Sequence, residues 1–102
     1  MTSARRTITA SRACAERLKV LADPTRLAVI SLLMNGPRQV GELNTVLGID
    51  QSLLSHHLKL LRDAGMVSAT RAGKAVRYAL RAEVETRLGK VIDLGCCSIS
   101  FE

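Results

Sequence analysis

The run DQSLLSHHLKLLRDAGMVSATRAGKAVRYAL, residues 50–80, decides the fold. On a helical wheel advancing about 100° per residue, Gln51, Ser52, Ser55, His56, Lys59, Arg62 and Asp63 share one contiguous arc. Leu53, Leu54, His57, Leu58, Leu60, Leu61 and Ala64 fill the other. That division predicts an amphipathic helix from Gln51 to Ala64, capped by Asp50 and ended at Gly65. The pattern then changes period. Met66 to Arg71 and Ala75 to Leu80 read as strands, with Val76, Tyr78 and Leu80 alternating against Arg77 and Arg81 across Ala72-Gly73-Lys74. A polar-faced helix followed by a hairpin with a basic tip is the second half of a winged helix-turn-helix.

Upstream residues supply the first half. Val40, Leu43, Val46 and Leu47 mark a short helix that Gly48 ends, and Leu27, Ile30, Leu33 and Met34 mark another, closed by Asn35-Gly36-Pro37. Asp23 caps that helix and Pro24 takes its first position, where the missing N–H is no loss. From Ser11 a first helix carries Cys14, Leu18 and Leu21 on one stripe, and residues 1–10 read as a flexible basic arm. Downstream, Val84, Leu88, Val91 and Ile92 suggest a last helix over about residues 82–94, ended by Gly95. The organisation expected is an arm (1–10), a winged-helix DNA-binding and dimerisation domain (11–95) and a cysteine-containing tail (96–102). The fold class is mainly α with a small β-hairpin.

The chain has 102 residues, enough for one core. Its formal charge of +6 is unevenly spread: residues 51–81 hold six basic and one acidic side chain, residues 82–102 two basic and four acidic. Positive charge concentrated beside a polar helix face is the footprint of a polyanion partner, because each Lys or Arg on a phosphate releases counterions. With Tyr78 and Phe101 the only aromatics, there is no platform for stacking unpaired bases, so the partner implied is a duplex. Gln51, Ser52, Ser55, His56 and Lys59 are placed to reach base edges or phosphates, and Arg71, Lys74 and Arg77 to meet backbone from the wing. The competing reading is a polar face that merely meets water. His57, inside the apolar arc, reads as a hydrogen-bonded core histidine. No charge-free run exceeds the eleven residues Leu27 to Pro37, too short to span a bilayer. Without the apolar run of a signal peptide, the cytoplasm is the expected location, with thiols reduced and no disulfide scaffold.

The blocks LKVLADPTRL (18–27), VGEL (40–43) and QSLLSHHLKLLRDAGMV (51–67) closely resemble the ArsR/SmtB family of bacterial metal-responsive repressors, over about residues 11–95. The resemblance implies a homodimer built through the first and last helices, for which Leu18, Leu21, Val84, Leu88 and Val91 are the candidate interface residues. It also implies an operator duplex as partner and an effector ion that releases it. Effector sites common in the family do not transfer. Gln39-Val40-Gly41 stands where arsenite and cadmium sensors carry Cys-Val-Cys; no histidine follows His57 to serve as a zinc ligand; and the second helix lacks the cysteine of persulfide sensors.

Three cysteines remain as candidate ligands: Cys14, Cys96 and Cys97. Three soft thiolates suit arsenite or antimonite, which takes three sulfurs and needs no fourth ligand. Arg17, one turn from Cys14, would favour the thiolate. Cadmium, lead or zinc would want a further donor, Asp93 or water. The same cysteines equally suit a repressor that senses reactive sulfur or oxidant. They could also be inert, Cys14 as a small core residue. A thiol metallochaperone or redox protein is the alternative of another class. Against an enzyme stand the missing Cys-x-x-Cys motif and the lack of a nucleophile–base pair.

Overall fold

The computed structural model describes the backbone of residues 2–101 and the side chains of residues 12–101. Helices α1 (Thr2–Leu21), α2 (Pro24–Leu33), α3 (Val40–Leu47) and α4 (Gln51–Asp63) are joined by short turns, with a two-residue strand β1 (Arg38–Gln39) ahead of α3. Strands β2 (Val67–Ala72) and β3 (Ala75–Leu80) form the wing, and β4 (Val91–Asp93) pairs with β5 (Ser98–Ser100) near the end of the chain.

Capping explains the helix starts. The Asp23 carboxylate accepts from the Thr25 and Arg26 amides at 2.9 and 3.1 Å, with Pro24 in the first turn of α2. Asp50 does the same for α4, accepting from Ser52 N at 3.1 Å. Gly48, at φ 62°, supplies the left-handed residue that ends α3 and turns the chain into α4. The core is where the apolar stripes of these helices meet: Val29, Ile30 and Leu33 of α2, Leu43 of α3, and Leu54, Leu58 and Leu61 of α4. The sheet adds Val67 and Leu80.

The wing is an antiparallel hairpin in register Val67↔Leu80 to Ala72↔Ala75, closed by a two-residue turn whose first residue, Gly73, takes φ 65°. It is one strand wider than the sequence suggests. β1 adds to the far edge of β3, pairing Arg38 with Tyr78 and Gln39 with Arg77, so the sheet order is β1-β3-β2. Four helices and this small sheet make the winged helix expected from the sequence.

Two boundaries need correction. α1 begins at Thr2 and not at Ser11, so residues 2–10, read as an arm, are helical. No Gly or Pro interrupts the chain from Thr2 to Leu21, and a nucleated helix propagates through such a stretch. The larger correction concerns residues 82–94, which form no helix. After a short turn at residues 82–84 the chain crosses to β4, and a tight turn leads to β5 in register Val91↔Ser100, Ile92↔Ile99 and Asp93↔Ser98. Ile92 and Leu94 are buried while Asp93 between them is exposed, a period of two that the eye reads as helical because Val84 and Leu88 precede it. Thr86 Oγ1 donates to the Val91 carbonyl at 2.7 Å and Gly89 adopts φ 66°, both of which favour a turn over a helix.

The residues assigned to a dimer interface therefore separate. Leu21 and Val84 are buried in the core of their own chain, Val91 is half-buried in β4, and Leu88 is 76% exposed on the loop before it. Leu18 on α1 is 40% exposed. Among the described residues, no helix is long and apolar enough to cross a membrane.

Candidate functional site

Two features of the molecule carry chemistry: the outer face of α4 with its wing, and a cluster of three sulfurs where α1 meets the C-terminal hairpin.

The α4 face is positioned from beneath. Leu54, Leu58 and Leu61 anchor the helix in the core, and His57, 7% exposed, joins them. Its Nδ1 accepts a hydrogen bond from Arg26 Nε at 3.1 Å, which puts the proton of the neutral ring on Nε2 and satisfies the histidine inside the fold. The same guanidinium donates to the Val20 carbonyl at 2.8 Å, so one side chain ties the end of α1, the start of α2 and the buried side of α4 together. Asp23 completes the group. The Arg26 amide hydrogen bond, chiefly, outweighs desolvation and, with the Arg26 guanidinium and the Thr25 amide, holds its carboxyl below the ordinary aspartate range.

With that side fixed, Gln51, Ser52, Ser55, His56 and Lys59 all stand exposed on the other, as the wheel predicted. Leu53 departs from it: assigned to the apolar arc, it lies at the edge of that arc and is 47% exposed. Lys59 Nζ is 3.4 Å from Asp63 Oδ2, an exposed pair of little energetic weight that leaves the ammonium available to an anion. Arg71, Lys74 and Arg77 are exposed along the wing. Between helix and wing runs a cleft of about 470 Å³ lined by Gln39, Gln51, Ser55, Lys74 and Tyr78. Gln39 and Tyr78 were missed in the sequence. For Gln39 a signal existed, since Gln39 N donates to the Glu42 carboxylate at 3.1 Å in the manner of a capping box, and that spacing is readable. The alternation marks Tyr78 only as an inward strand residue; its place beside Gln39 follows from the β1–β3 pairing.

The sulfur cluster joins residues that are distant in sequence. Cys14 and Cys96, 82 positions apart, form a disulfide with Cα atoms 5.9 Å apart, which corrects the expectation of free thiols. Cys97 is free, with its Sγ 3.5 Å from Cys14 Sγ and 4.0 Å from Cys96 Sγ. All three sulfurs lie within 4.8 Å of one another. Sulfurs bound at about 2.3 Å to one tetrahedral ion sit about 3.8 Å apart, so the spacing around Cys97 fits a shared thiophilic centre once the bridge is reduced. Cys96 is exposed, and Cys14 and Cys97 are half-buried. Arg17, expected to favour the Cys14 thiolate, donates instead to the Leu94 carbonyl and clasps α1 to the hairpin. Asp93 accepts from Gly95 N at 2.7 Å and is therefore engaged in shaping the turn, outside the sulfur cluster.

α1 also connects the cluster to the α4 face. A cavity of about 430 Å³ lies between the two helices, with Ala13, Glu16 and Arg17 on one wall and Leu60 and Asp63 on the other. Cys14 sits between those α1 residues.

Residues 23–69 match the model of a bacterial regulatory protein family, the arsR family. The regulator NmtR of Mycobacterium tuberculosis is 38% identical over 79 residues, covering 78% of this chain and 63% of NmtR. The chain thus spans somewhat less than two thirds of that relative's length. Among solved structures, Mycobacterium tuberculosis Rv0081 superposes with a TM-score of 0.68 at 41% identity, covering 71% of this chain and 73% of that one. The transcriptional repressor BigR of Xylella fastidiosa has a TM-score of 0.68 at 35% identity, covering 76% and 79%.

Proposed function

Because the chain belongs to the arsR family of bacterial regulatory proteins, we propose that it is a non-enzymatic, DNA-binding transcriptional repressor controlled by a thiophilic ion at Cys14, Cys96 and Cys97. Arsenite or antimonite is the effector that fits the donors best. The observation that carries the reading is the placement of three sulfurs within 4.8 Å, one of them on α1, the helix that leans on α4.

Gln51, Ser52, Ser55 and His56 present amides, hydroxyls and an imidazole to the floor of a major groove, and Lys59 presents an ammonium beside them. Arg71, Lys74 and Arg77 hold the flanking phosphates from the wing. Two copies, meeting through the α1 face around exposed Leu18, would hold two recognition helices about one helical turn apart on a palindromic operator. Three sulfurs and no engaged carboxylate favour an ion content with three donors, whereas cadmium, lead or zinc would have to add water.

Cys14 moves with α1. Drawing its sulfur toward Cys96 and Cys97 sets the depth of Ala13 and Arg17 in the cavity against Leu60 and Asp63, and so the pose of α4. A hundredfold preference of the effector for the pose unable to bind DNA corresponds to about 2.7 kcal/mol.

Titration of arsenite into the fully reduced protein bound to a labelled duplex, selected from a random pool, tests the reading. One arsenite per chain, release of the duplex and joint protection of the three thiols from alkylation are the expected results. Release that survives Cys14→Ser confines the site to the vicinal pair. Release by cadmium, lead or zinc but not by arsenite replaces the three-donor effector with a four-donor one.

A further inference from the structure

Apart from the outer face of α4 and the sulfurs, the molecule holds a cavity of about 400 Å³ at the C-terminal end of α4, where four segments converge. Gly65, at φ 75°, turns the chain from α4 toward β2, and the Arg81 amide donates to the Met66 carbonyl at 3.0 Å, which brings the end of β3 beside that turn. α1 supplies a further wall through Arg17, which donates to the Leu94 carbonyl at the β4–β5 turn.

The walls are of two kinds. Met66, Val84 and Leu94 line the cavity as buried apolar residues, and Arg17 and Arg81 bring two guanidiniums to it. Glu83 is the one carboxylate among the described lining residues, so the charged side chains there sum to one positive. Both guanidiniums have donors to spare, since each carries five N–H groups. Arg17 gives Nη1 to a carbonyl, and among the described residues no carboxylate lies within ion-pair distance of it. Arg81 holds Glu83 through Nε and Nη2, both at 3.2 Å, in an exposed pair of the kind that contributes little and can admit a second anion.

We propose that this cavity binds a small organic monocarboxylate with an apolar body, the carboxylate held by Arg17 and Arg81 and the body resting on Met66, Val84 and Leu94. The volume falls in the range of small-molecule sites, about 300–1,000 Å³. An inorganic anion would satisfy the guanidiniums and leave the apolar wall wet, whereas a neutral apolar molecule would desolvate the guanidiniums without giving them a partner. None of the three cysteines lines the cavity, so the site is independent of the ion and of the disulfide.

Met66 is a local reporter, and Met34, packed at the edge of the core and outside the cavity lining, is its control. In the full chain with the Cys14–Cys96 bridge formed and its methionine methyls labelled with carbon-13, hexanoate should shift the Met66 methyl resonance saturably and leave that of Met34 in place. Acetate, four methylenes shorter, should bind at least about tenfold more weakly, and so should inorganic phosphate and hexylamine. Arg81→Gln removes an exposed side chain without opening the core and should weaken hexanoate about tenfold or more, as should Arg17→Gln. Glu83→Gln, which removes the competing carboxylate, should tighten it. A Met66 methyl that hexanoate does not move overturns the inference, as does an affinity unchanged in Arg81→Gln. Hexylamine matching hexanoate would reduce the cavity to an apolar crevice, and phosphate matching it would remove the role of the apolar wall; either result also overturns it. No duplex or ion enters these measurements, so their failure leaves the repressor reading untouched.

Discussion

Arg26 and His57, 31 positions apart, are joined by a 3.1 Å hydrogen bond from Nε to Nδ1, and through it α2 grips the side of α4 that faces away from solvent. The bond orients the outer face of α4 as surely as the leucines do, because a rotated helix would leave a buried imidazole nitrogen unpaired. Arg26→Ala should therefore cost about 1–3 kcal/mol in urea unfolding, from the orphaned His57 nitrogen and Val20 carbonyl together. A loss below about 0.5 kcal/mol, the range of an ordinary surface change, would show that the pair is incidental.

Asp23 caps α2 with two amide hydrogen bonds, and Asp23→Ala should lower stability by about 1 kcal/mol. Its carboxyl titrates below the ordinary aspartate value in the folded chain. A depressed folded pKa contributes stability that is full above the unfolded value, about 3.9, and is lost as pH falls through the folded value. The wild type and Asp23→Ala should thus converge in stability as the pH falls through the folded value and stay apart near neutrality. A gap that is constant with pH would assign the cap's effect to something other than its charge.

Lys74 occupies the tip of the wing, exposed and next to the positive-φ Gly73. Lys74→Ala should reduce the slope of log affinity against log salt by about one, and weaken selected and random duplexes alike. An unchanged slope would take the wing tip off the phosphates.

Ser55, like Gln51, is an exposed α4 residue that also lines the cleft against the wing. Ser55→Ala should cost about 1–3 kcal/mol more on the selected duplex than on a random one, the discrimination carried by a good base contact. Equal losses on both would make it a backbone contact.

Leu88, 76% exposed on a loop, contributes nothing to the core of its own chain. Leu88→Asp should leave thermal stability within about 0.5 kcal/mol of wild type. Sedimentation of the same variant reads the second half of the question: an intact dimer places the interface on α1 alone, and a monomer returns the loop to it.

The helix-turn-helix and its wing were legible residue by residue because they are local. Asp23 and Asp50 cap within three positions, Gly48 and Gly73 set turns by their own φ, and the division of α4 into two faces needs only the 3.6-residue period. The length of the hairpin followed equally from its alternation. What failed was the segment from residue 82 to residue 94, where Val84, Leu88, Val91 and Ile92 satisfy a helical stripe while Ile92 and Leu94 satisfy a strand. Burial decided between them, and burial is a property of what the rest of the chain brings near. The same holds for β1, whose two residues become a strand only because β3 offers an edge, and for Arg26, whose partner lies 31 positions away. Above all it holds for the sulfurs. That the chain has three cysteines is plain from its residues; that Cys14 meets Cys96 and Cys97 across 82 and 83 positions depends on α1 lying against the β4–β5 turn, a contact that no local periodicity encodes.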